Sequence, residues 1–326
     1  MNLVRAELER LLARRFTRVL LVFMFAAFLV TFLTMVSSTH TPTPAELAQA
    51  EQALASDRIN AEEWYRSCVS LNGGEEARTT SRVIERCGPD TRSASVANYL
   101  SQVFVFSTVI RPLVYFLAAF LALFGFLVGA SYVGAELTSG GMTNLLLWRP
   151  RRDVVLGTKL ATLLGTVLAV SVLVTAGYVG AFWGLANSAG MPGTVSRGFW
   201  ISLGLLCVRA IGLGLLFTAL GFGIATLGRH TAAALGVIAG YLVVWEVGAR
   251  IVLAVTQSPR SELLMLSTYI AAWMNGRVSI YPSQCFDGAC GSAYDITFGH
   301  AAVAFGLLLA VCVGGAFVNF RRRDLT

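Results

Sequence analysis

The sequence predicts an all-α polytopic membrane protein with six transmembrane helices. Charged residues make up 13% of the 326-residue chain and hydrophobic residues 56%, against about 25% and about 45–50% in ordinary globular proteins. Six stretches are long and apolar enough to cross a bilayer, which takes about 20 helical residues. The basic residues concentrate on alternate connecting segments, as expected of a multi-pass protein. These observations exclude a cytosolic enzyme, a nucleic-acid-binding module and a disordered scaffold.

The predicted spans cover residues 19–36, 113–133, 160–185, 199–227, 232–256 and 298–318. They divide the rest of the chain into a long polar loop (37–112), a basic connector (134–159), two short loops (186–198 and 228–231) and a medium segment (257–297). We therefore predict one six-span transmembrane domain over 19–326, preceded by a separate N-terminal segment over 1–18.

The charges of the connecting segments predict the orientation of the chain. Residues 1–18, the connector 134–159, the loop 228–231 and the C-terminal tail together hold thirteen basic and five acidic residues, whereas the other three segments hold ten and twelve. Cytoplasmic segments are the ones that carry the excess of Arg and Lys. We therefore expect both termini in the cytoplasm, with 37–112 and 257–297 outside.

Residues 1–18 have the pattern of an amphipathic helix. Val4, Leu8, Leu11, Leu12 and Phe16 repeat at helical spacing, and arginines lie between them. Such a helix is expected to lie at the membrane surface and to bind lipids through both its apolar face and its guanidinium groups. The alternative is a basic flank that simply extends the first span.

The long loop predicts a small helical insertion outside the membrane. Thr43 and Pro44 begin one predicted helix, and Asn60 with Glu63 resembles a capping box at the start of a second. Four cysteines also fall in the segments predicted to be external, where disulfides are stable. We expect two disulfides, Cys68 with Cys87 and Cys285 with Cys290; the alternative is four free thiols.

The connector 134–159 contains the most informative motif. The pair Gly140 and Gly141 interrupts a helix, Leu145 to Leu147 form a short apolar ridge, and Pro150 ends it among arginines. An apolar ridge with a basic end suits docking into a groove on a soluble partner. The alternative is an interfacial helix that rests on lipid headgroups.

This connector resembles that of ABC-2 type transporter permeases. The matching residues are Glu136, Gly140, Leu145, Leu146, Pro150, Arg152, Gly157 and Lys159. Gly141 departs from the family pattern, which more often has Thr there, and residues 320–325 resemble the usual ending of the family. The residues that we assign to ATPase coupling are Glu136, Gly140, Asn144, Leu145, Leu146, Arg149, Pro150, Arg152, Asp153 and Lys159.

The resemblance implies a permease subunit of a bacterial ABC exporter in the plasma membrane. Two copies of a separate ABC ATPase would bind ATP and Mg, and a second permease copy, identical or similar, would complete the transporter. The resemblance also implies that residues 263–273 re-enter the outer leaflet. The single lysine beside 24 arginines favours a GC-rich bacterial genome. The sequence does not identify the substrate.

Three ionisable residues lie within the predicted spans, where charges are costly and default to functional hypotheses. Arg209 and Glu246 both lie about ten residues, or roughly 15 Å, from the outer end of their spans, so we predict that they pair. Arg250 lies one turn from Glu246, and we expect it to bind the same carboxylate as Arg209. The pair is either a polar latch that rearranges during transport or a static lock between two helices.

The sequence contains no catalytic motif. Lys159 is followed by Leu160, so there is no Gly-Lys-Ser/Thr phosphate loop, and neither a nucleophile elbow nor metal-ligand spacing is present. We therefore expect no catalytic residues, no metal site and no cofactor bound by this chain, and no nucleic-acid partner. A secondary transporter or channel without an ATPase remains the alternative function, and a membrane-bound enzyme is a more distant one.

Overall fold

The computed structural model describes residues 2–71, 95–142, 151–256, 261–280 and 294–322. In chain order the described residues form α1 (Asn2–Ala13), α2 (Arg15–Ser37), α3 (Pro44–Leu71), α4 (Phe106–Thr138), α5 (Arg152–Ser188) and α6 (Arg197–Gly228), with a 3-10 turn (Val96–Tyr99) between α3 and α4. Helix α7 (Thr231–Gly240), a π-helix (Tyr241–Ala249) and α8 (Arg250–Val255) follow without a break.

The remainder of the described chain leads into the last span. A 3-10 turn (Ser261–Leu264) precedes α9 (Leu266–Asn275), and strands β1 (Arg277–Ile280) and β2 (Tyr294–Thr297) form an antiparallel hairpin. The last span consists of α10 (Phe298–Leu309), a second π-helix (Ala310–Gly314) and α11 (Gly315–Arg322). The hairpin departs from the predicted all-α fold class. The sequence did not predict it because its strands are too short to show an alternation of apolar and polar residues.

The prediction of six spans is confirmed. Among the described residues, six helices are long and apolar enough to cross a membrane, namely α2, α4, α5, α6, Thr231–Leu253 and Phe298–Arg322. Their ends differ from the predicted ones, most clearly in α4, which begins at Phe106 and runs through Pro112. Because a helix satisfies its own backbone, it extends past the apolar run that a hydropathy pattern detects.

The chain forms two compact units. The first comprises Met1–Phe28, Pro112–Tyr178 and Trp200–Thr326, and the second comprises Leu29–Arg111 and Val179–Phe199. Within the first unit, α4 and α6 approach so closely that side chains do not fit between them. A Cβ on Gly129 would lie 2.3 Å from the carbonyl oxygen of Thr218, and one on Gly221 would lie 2.3 Å from the carbonyl oxygen of Phe126.

The sequence contains three motifs in which two glycines lie four residues apart. Within the described part of the chain, only one of these motifs serves this kind of packing. Gly125 and Gly129 both face Thr218 on α6 at distances that exclude a methyl group. In the other two motifs, Gly180 with Gly184 and Gly236 with Gly240, an added methyl group would meet no described atom within 4 Å. Glycine spacing permits a close approach, but the partner helix decides where one occurs.

Arg14 separates the N-terminal helix from the first span. Helix α1 ends at Ala13 and α2 begins at Arg15, so the break between the helices lies four residues before the predicted domain boundary at residue 18. The side chain of Arg14 contacts α4, as described below. On α1, Leu11 of the predicted apolar stripe is buried and Leu8 is exposed, so the described part of the stripe is only partly buried.

In the second unit, α3 is a single long helix. The predicted second start at Asn60 is wrong, because Asn60 lies within α3 and no glycine or proline interrupts the chain between Pro44 and Leu71. The capping box is instead at the beginning of α3. The backbone N–H of Glu46 donates to the Thr43 hydroxyl at 3.3 Å, and the backbone N–H of Thr43 donates to the Glu46 carboxylate at 2.7 Å.

The segment before the last span packs against α10 and α6. The Trp273 ring lies 4.7 Å from that of Phe298 and 5.8 Å from that of Phe305. Its indole N–H donates to the carbonyl oxygen of Arg209 at 2.9 Å. Residues 263–273, for which the family resemblance implied re-entry, thus comprise part of a 3-10 turn and most of α9.

Candidate functional site

A buried ionic cluster joins three helices of the first unit. Nζ of Lys159, on α5, lies 2.7 Å from Oε2 of Glu7 on α1 and 2.6 Å from Oε2 of Glu136 on α4. The side chains of Lys159 and Glu7 are each 1% exposed, and that of Glu136 is 14% exposed. A single ammonium group therefore binds two carboxylates from two different helices.

Arg14 and Tyr132 complete this cluster. Nη2 of Arg14 lies 2.6 Å from Oε1 of Glu136, and Nη1 donates to the carbonyl oxygens of Tyr132 at 2.9 Å and of Ser131 at 3.1 Å. The Tyr132 hydroxyl donates to Oε2 of Glu7. The guanidinium carbon of Arg14 lies 5.0 Å from the centroid of the Tyr132 ring, within the range of cation–π attraction.

The positions of these residues along their helices bring them together. Glu7 lies one turn from the buried Leu11 on α1, and Tyr132 lies one turn from Glu136 on α4, so each pair faces one direction. Lys159 lies two turns into α5, which begins at Arg152. The cluster thus sits where α4 approaches its end and α5 has just begun.

The charges of the cluster compensate one another. Two carboxylates, those of Glu7 and Glu136, face two cations, those of Lys159 and Arg14. Burial by itself would raise the pKa of Glu7, but the hydrogen bonds donated by Lys159 and Tyr132 outweigh it, so the pKa lies below its usual value. Because an uncompensated buried charge is costly, no member can leave without destabilising the others.

Two predicted coupling residues, Glu136 and Lys159, are therefore in direct contact. Gly140 adopts a left-handed conformation with φ of 73°, which a residue with a side chain adopts only at a cost. Arg152 is the first residue of α5, and Asp153 forms an exposed ion pair with Arg321, with 3.5 Å between Oδ2 and Nε. The remaining predicted coupling residues lie outside the described residues: Asn144, Leu145, Leu146, Arg149 and Pro150.

The six helices of the described residues that are long and apolar enough to cross a membrane agree with the resemblance found in the sequence. A family model described as an ABC-2 family transporter protein matches residues 1–325. This chain belongs to the ABC-2 transporter family. A search of curated proteins found no match. Membership makes the chain a multi-pass membrane permease component, in a family that generally works with an ABC ATPase.

The intramembrane residues of this ABC-2 permease do not pair as predicted. Nη1 of Arg209 donates to the carbonyl oxygen of Met274 at 3.0 Å, and its guanidinium carbon lies 5.2 Å from the centroid of the Phe298 ring. Glu246 instead binds Arg250, with 2.9 Å between Oε1 and Nη2. The prediction of an Arg209–Glu246 pair is therefore wrong, whereas the contact between Glu246 and Arg250 is confirmed.

The segment before the last span explains this rearrangement. Its first residues bind the fifth span, where the Trp245 indole donates to the carbonyl oxygen of Leu264 at 3.0 Å. Its last residues bind α6 through Trp273 and Met274. The predicted pairing treats the fourth and fifth spans as neighbours at this depth, but residues 261–275 supply partners to each of them.

The predicted disulfides of the permease stay predictions. Cys68 lies near the end of α3, beside the buried Val69, while Cys87, Cys285 and Cys290 lie outside the described residues. The free cysteines in the described part of the chain are Cys207 and Cys312.

Three members of the ionic cluster are not predicted from the sequence: Glu7, Arg14 and Tyr132. In the charge pattern Glu7 counts as an ordinary acid of the N-terminal segment, although it lies three residues after Val4 and four before Leu11, within the apolar stripe. An acidic residue inside such a stripe is a signal that it has a buried partner. Nothing in the sequence indicates that this partner lies on α5.

Proposed function

We propose that this chain is the permease subunit of an ATP-driven exporter, moving its substrate outward with power from a separate ATPase. Both termini and the connector 134–159 lie in the cytoplasm in this proposal, since the basic residues concentrate there. Two permease copies and two ATPase copies form the transporter in the bacterial plasma membrane. ATP and Mg bind to the ATPase, and the substrate leaves between the protomers.

The ion pairs of Lys159 are the observation that carries this proposal. Glu136 lies at the beginning of the connector 134–159, on α4, and Lys159 lies at its end, on α5. The 2.6 Å contact between them therefore joins the two ends of the connector. An ATPase that pushes the connector therefore moves α4 and α5 together rather than spreading them apart. Because Lys159 also holds Glu7, α1 follows the same movement.

The ion-pair geometry gives this cluster the role of a mechanical link. Buried ion pairs contribute little net stability compared with apolar packing, so their value lies in fixing one arrangement of α1, α4 and α5. The partner ATPase supplies the energy, and the cluster keeps the three helix ends in register while the energy is used.

Co-purification with the ATPase tests the docking part of the proposal. We expect the full-length permease, isolated from its native membranes, to carry a soluble protein with a phosphate-loop motif. The triple change Leu145→Ala, Leu146→Ala and Arg149→Ala is expected to remove that protein. The matched control is Arg197→Ala, an exposed arginine at the start of α6, which is expected to retain it.

Hydrogen exchange of the assembled complex tests the coupling part. With ATP and vanadate, we expect amide exchange to change in α1 and at the facing ends of α4 and α5 in the wild type. In Glu136→Gln, the ATPase is expected to stay bound while the change in α1 is lost. Equal changes in both proteins would contradict the coupling role of the cluster. Transport by the purified permease without any ATPase would instead establish a secondary transporter or channel.

A further inference from the structure

A cavity of about 550 Å³ lies in the first unit, away from the ionic cluster. It is bordered by α6, α9 and the fifth and sixth spans, and its volume falls within the range of about 300–1,000 Å³ that is typical of sites for drug-sized ligands. Its walls are almost entirely apolar. Among the described residues that line it, Glu246 alone carries a charge.

The lining of the cavity combines one acidic group with several aromatic rings. Four aromatic residues line it together with Glu246, and they are Phe126, Phe217, Tyr241 and Tyr269. Aromatic rings attract cations through their faces, and a carboxylate offers about four acceptor positions. Within the described part of the chain, Glu246 uses two of these, one for the Tyr241 hydroxyl and one for Arg250.

Glu246 already has a cationic partner in Arg250. The side chain of Arg250 is 58% exposed, whereas that of Glu246 is 16% exposed, and they are separated by one helical turn. Arg250 also donates to the Ser267 hydroxyl at 2.9 Å, so its guanidinium group is shared between two acceptors. Arg250 does not line the cavity, so a ligand cation inside the cavity approaches the carboxylate from a different side.

Both π-helices of the described chain border this cavity. Glu246 lies in Tyr241–Ala249, and Cys312, which also lines the cavity, lies in Ala310–Gly314. π-helical turns are rare in proteins and are found frequently at functional sites. That the two irregular segments of two different spans meet at one cavity is an observation independent of its charge.

We propose that this cavity binds a lipophilic cation, with its charge at Glu246 and its apolar body between the surrounding helices. As the class of transported substrate this rests on the proposed function, but the binding itself requires no ATPase. The cavity holds an acidic group within apolar walls, so it discriminates by charge as well as by size. An anionic molecule of the same shape is rejected by the same carboxylate.

Tetraphenylphosphonium and tetraphenylborate, which share one shape and carry opposite charges, test the proposal. Full-length permease in lipid nanodiscs, without any ATPase, is expected to bind tetraphenylphosphonium saturably and tetraphenylborate much more weakly. Glu246→Gln is expected to weaken cation binding by at least about 10-fold, equal to about 1.4 kcal/mol. Glu262→Gln, which removes a nearby acid outside the cavity lining, is expected to bind like the wild type.

Arg250 provides a test with the opposite sign. Arg250→Gln removes the competing cation and is expected to tighten tetraphenylphosphonium binding, because the Glu246 carboxylate then lacks its present ion-pair partner. A merely structural role of these residues would lower affinity in both variants. If Glu246→Gln fails to fold, Ala304→Phe fills the cavity without removing the charge and is expected to abolish binding.

The two free cysteines of the described chain locate the ligand. Peptide mass spectrometry after treatment with N-ethylmaleimide is expected to show that tetraphenylphosphonium slows modification of Cys312, which lines the cavity, and leaves Cys207 unchanged. Any of three results would overturn the proposal: no saturable binding of tetraphenylphosphonium, equal binding of tetraphenylborate, or full affinity in both Glu246→Gln and Ala304→Phe. None of these results bears on ATPase coupling, whose tests use the connector and the ionic cluster.

Discussion

Replacing Lys159 by methionine tests the energetic role of the ionic cluster. Nζ of Lys159 lies 2.7 Å from Glu7 and 2.6 Å from Glu136, and its side chain is 1% exposed. Methionine fills similar space but leaves both carboxylates without their shared cation. Removing one partner from a buried pair costs about 3–5 kcal/mol. We therefore expect Lys159→Met to lower the free energy of unfolding by that amount.

The assay is denaturant unfolding of the purified permease in detergent micelles. The matched control is Arg10→Gln, because Arg10 also binds Glu7, at 3.2 Å, but is 55% exposed. Pairs of this kind contribute below about 1 kcal/mol. The double variant Glu7→Gln with Lys159→Met removes one of the two stranded charges and is expected to be less destabilised than the sum of the single variants.

The contrast between these two lysine and arginine contacts decides the outcome. Both cations bind the carboxylate of Glu7, so a stability difference between the variants reports the burial of Lys159 together with its second contact, to Glu136. If Lys159→Met and Arg10→Gln destabilise the permease equally, the cluster does not hold α1 against α4 and α5 as described. Additive losses in the double variant would contradict the direct contact between Glu7 and Lys159.

Three further predictions follow from the structure. The pKa of Glu7 lies below its ordinary value of 4.5. The ionised carboxylate therefore contributes fully to the free energy of unfolding above that pH, and this contribution is lost as the pH falls through the lowered pKa. Unfolding measured against pH is expected to show this loss in the wild type and not in Glu7→Gln. Gly129→Ala places a methyl group 2.3 Å from a carbonyl oxygen on α6 and is expected to cost about 1–3 kcal/mol, whereas Gly180→Ala, which meets no described atom within 4 Å, is expected to show no loss in the same unfolding assay. Mass spectrometry of the unreduced permease is expected to find two linked peptide pairs, Cys68 with Cys87 and Cys285 with Cys290, and free thiols at these positions would contradict the predicted external loops.

The six spans and the family could be predicted from the sequence because both depend on local signals. A hydrophobic run of about 20 residues specifies a helix wherever it lies, since backbone groups inside a bilayer must bond within the segment. The connector residues Glu136 and Lys159 can also be recognised from their spacing around the glycine pair. Their direct contact cannot, because spacing along the chain gives no distance between two helices.

Local signals failed where two alternatives were nearly equal. Asn60 with Glu63 matched a helix start, but the surrounding residues favour an uninterrupted helix, so α3 continues through them. The N-terminal apolar stripe predicted a face toward lipid, yet Glu7 is the buried polar residue of α1. At Asn60 the uninterrupted helical sequence prevailed over the local start signal. At Glu7 the contacts with Tyr132 and Lys159 determined which side chain is buried.

By itself the sequence determined how many helices cross the membrane, which family the chain belongs to, and that its connector carries the family's motif. Only the tertiary structure decided which charges meet: Lys159 with Glu7 and Glu136, and Glu246 with Arg250 rather than Arg209. The physical reason is that helix formation depends on neighbours within a few residues, whereas a buried charge takes whichever partner the packing of distant segments brings within about 3 Å of it.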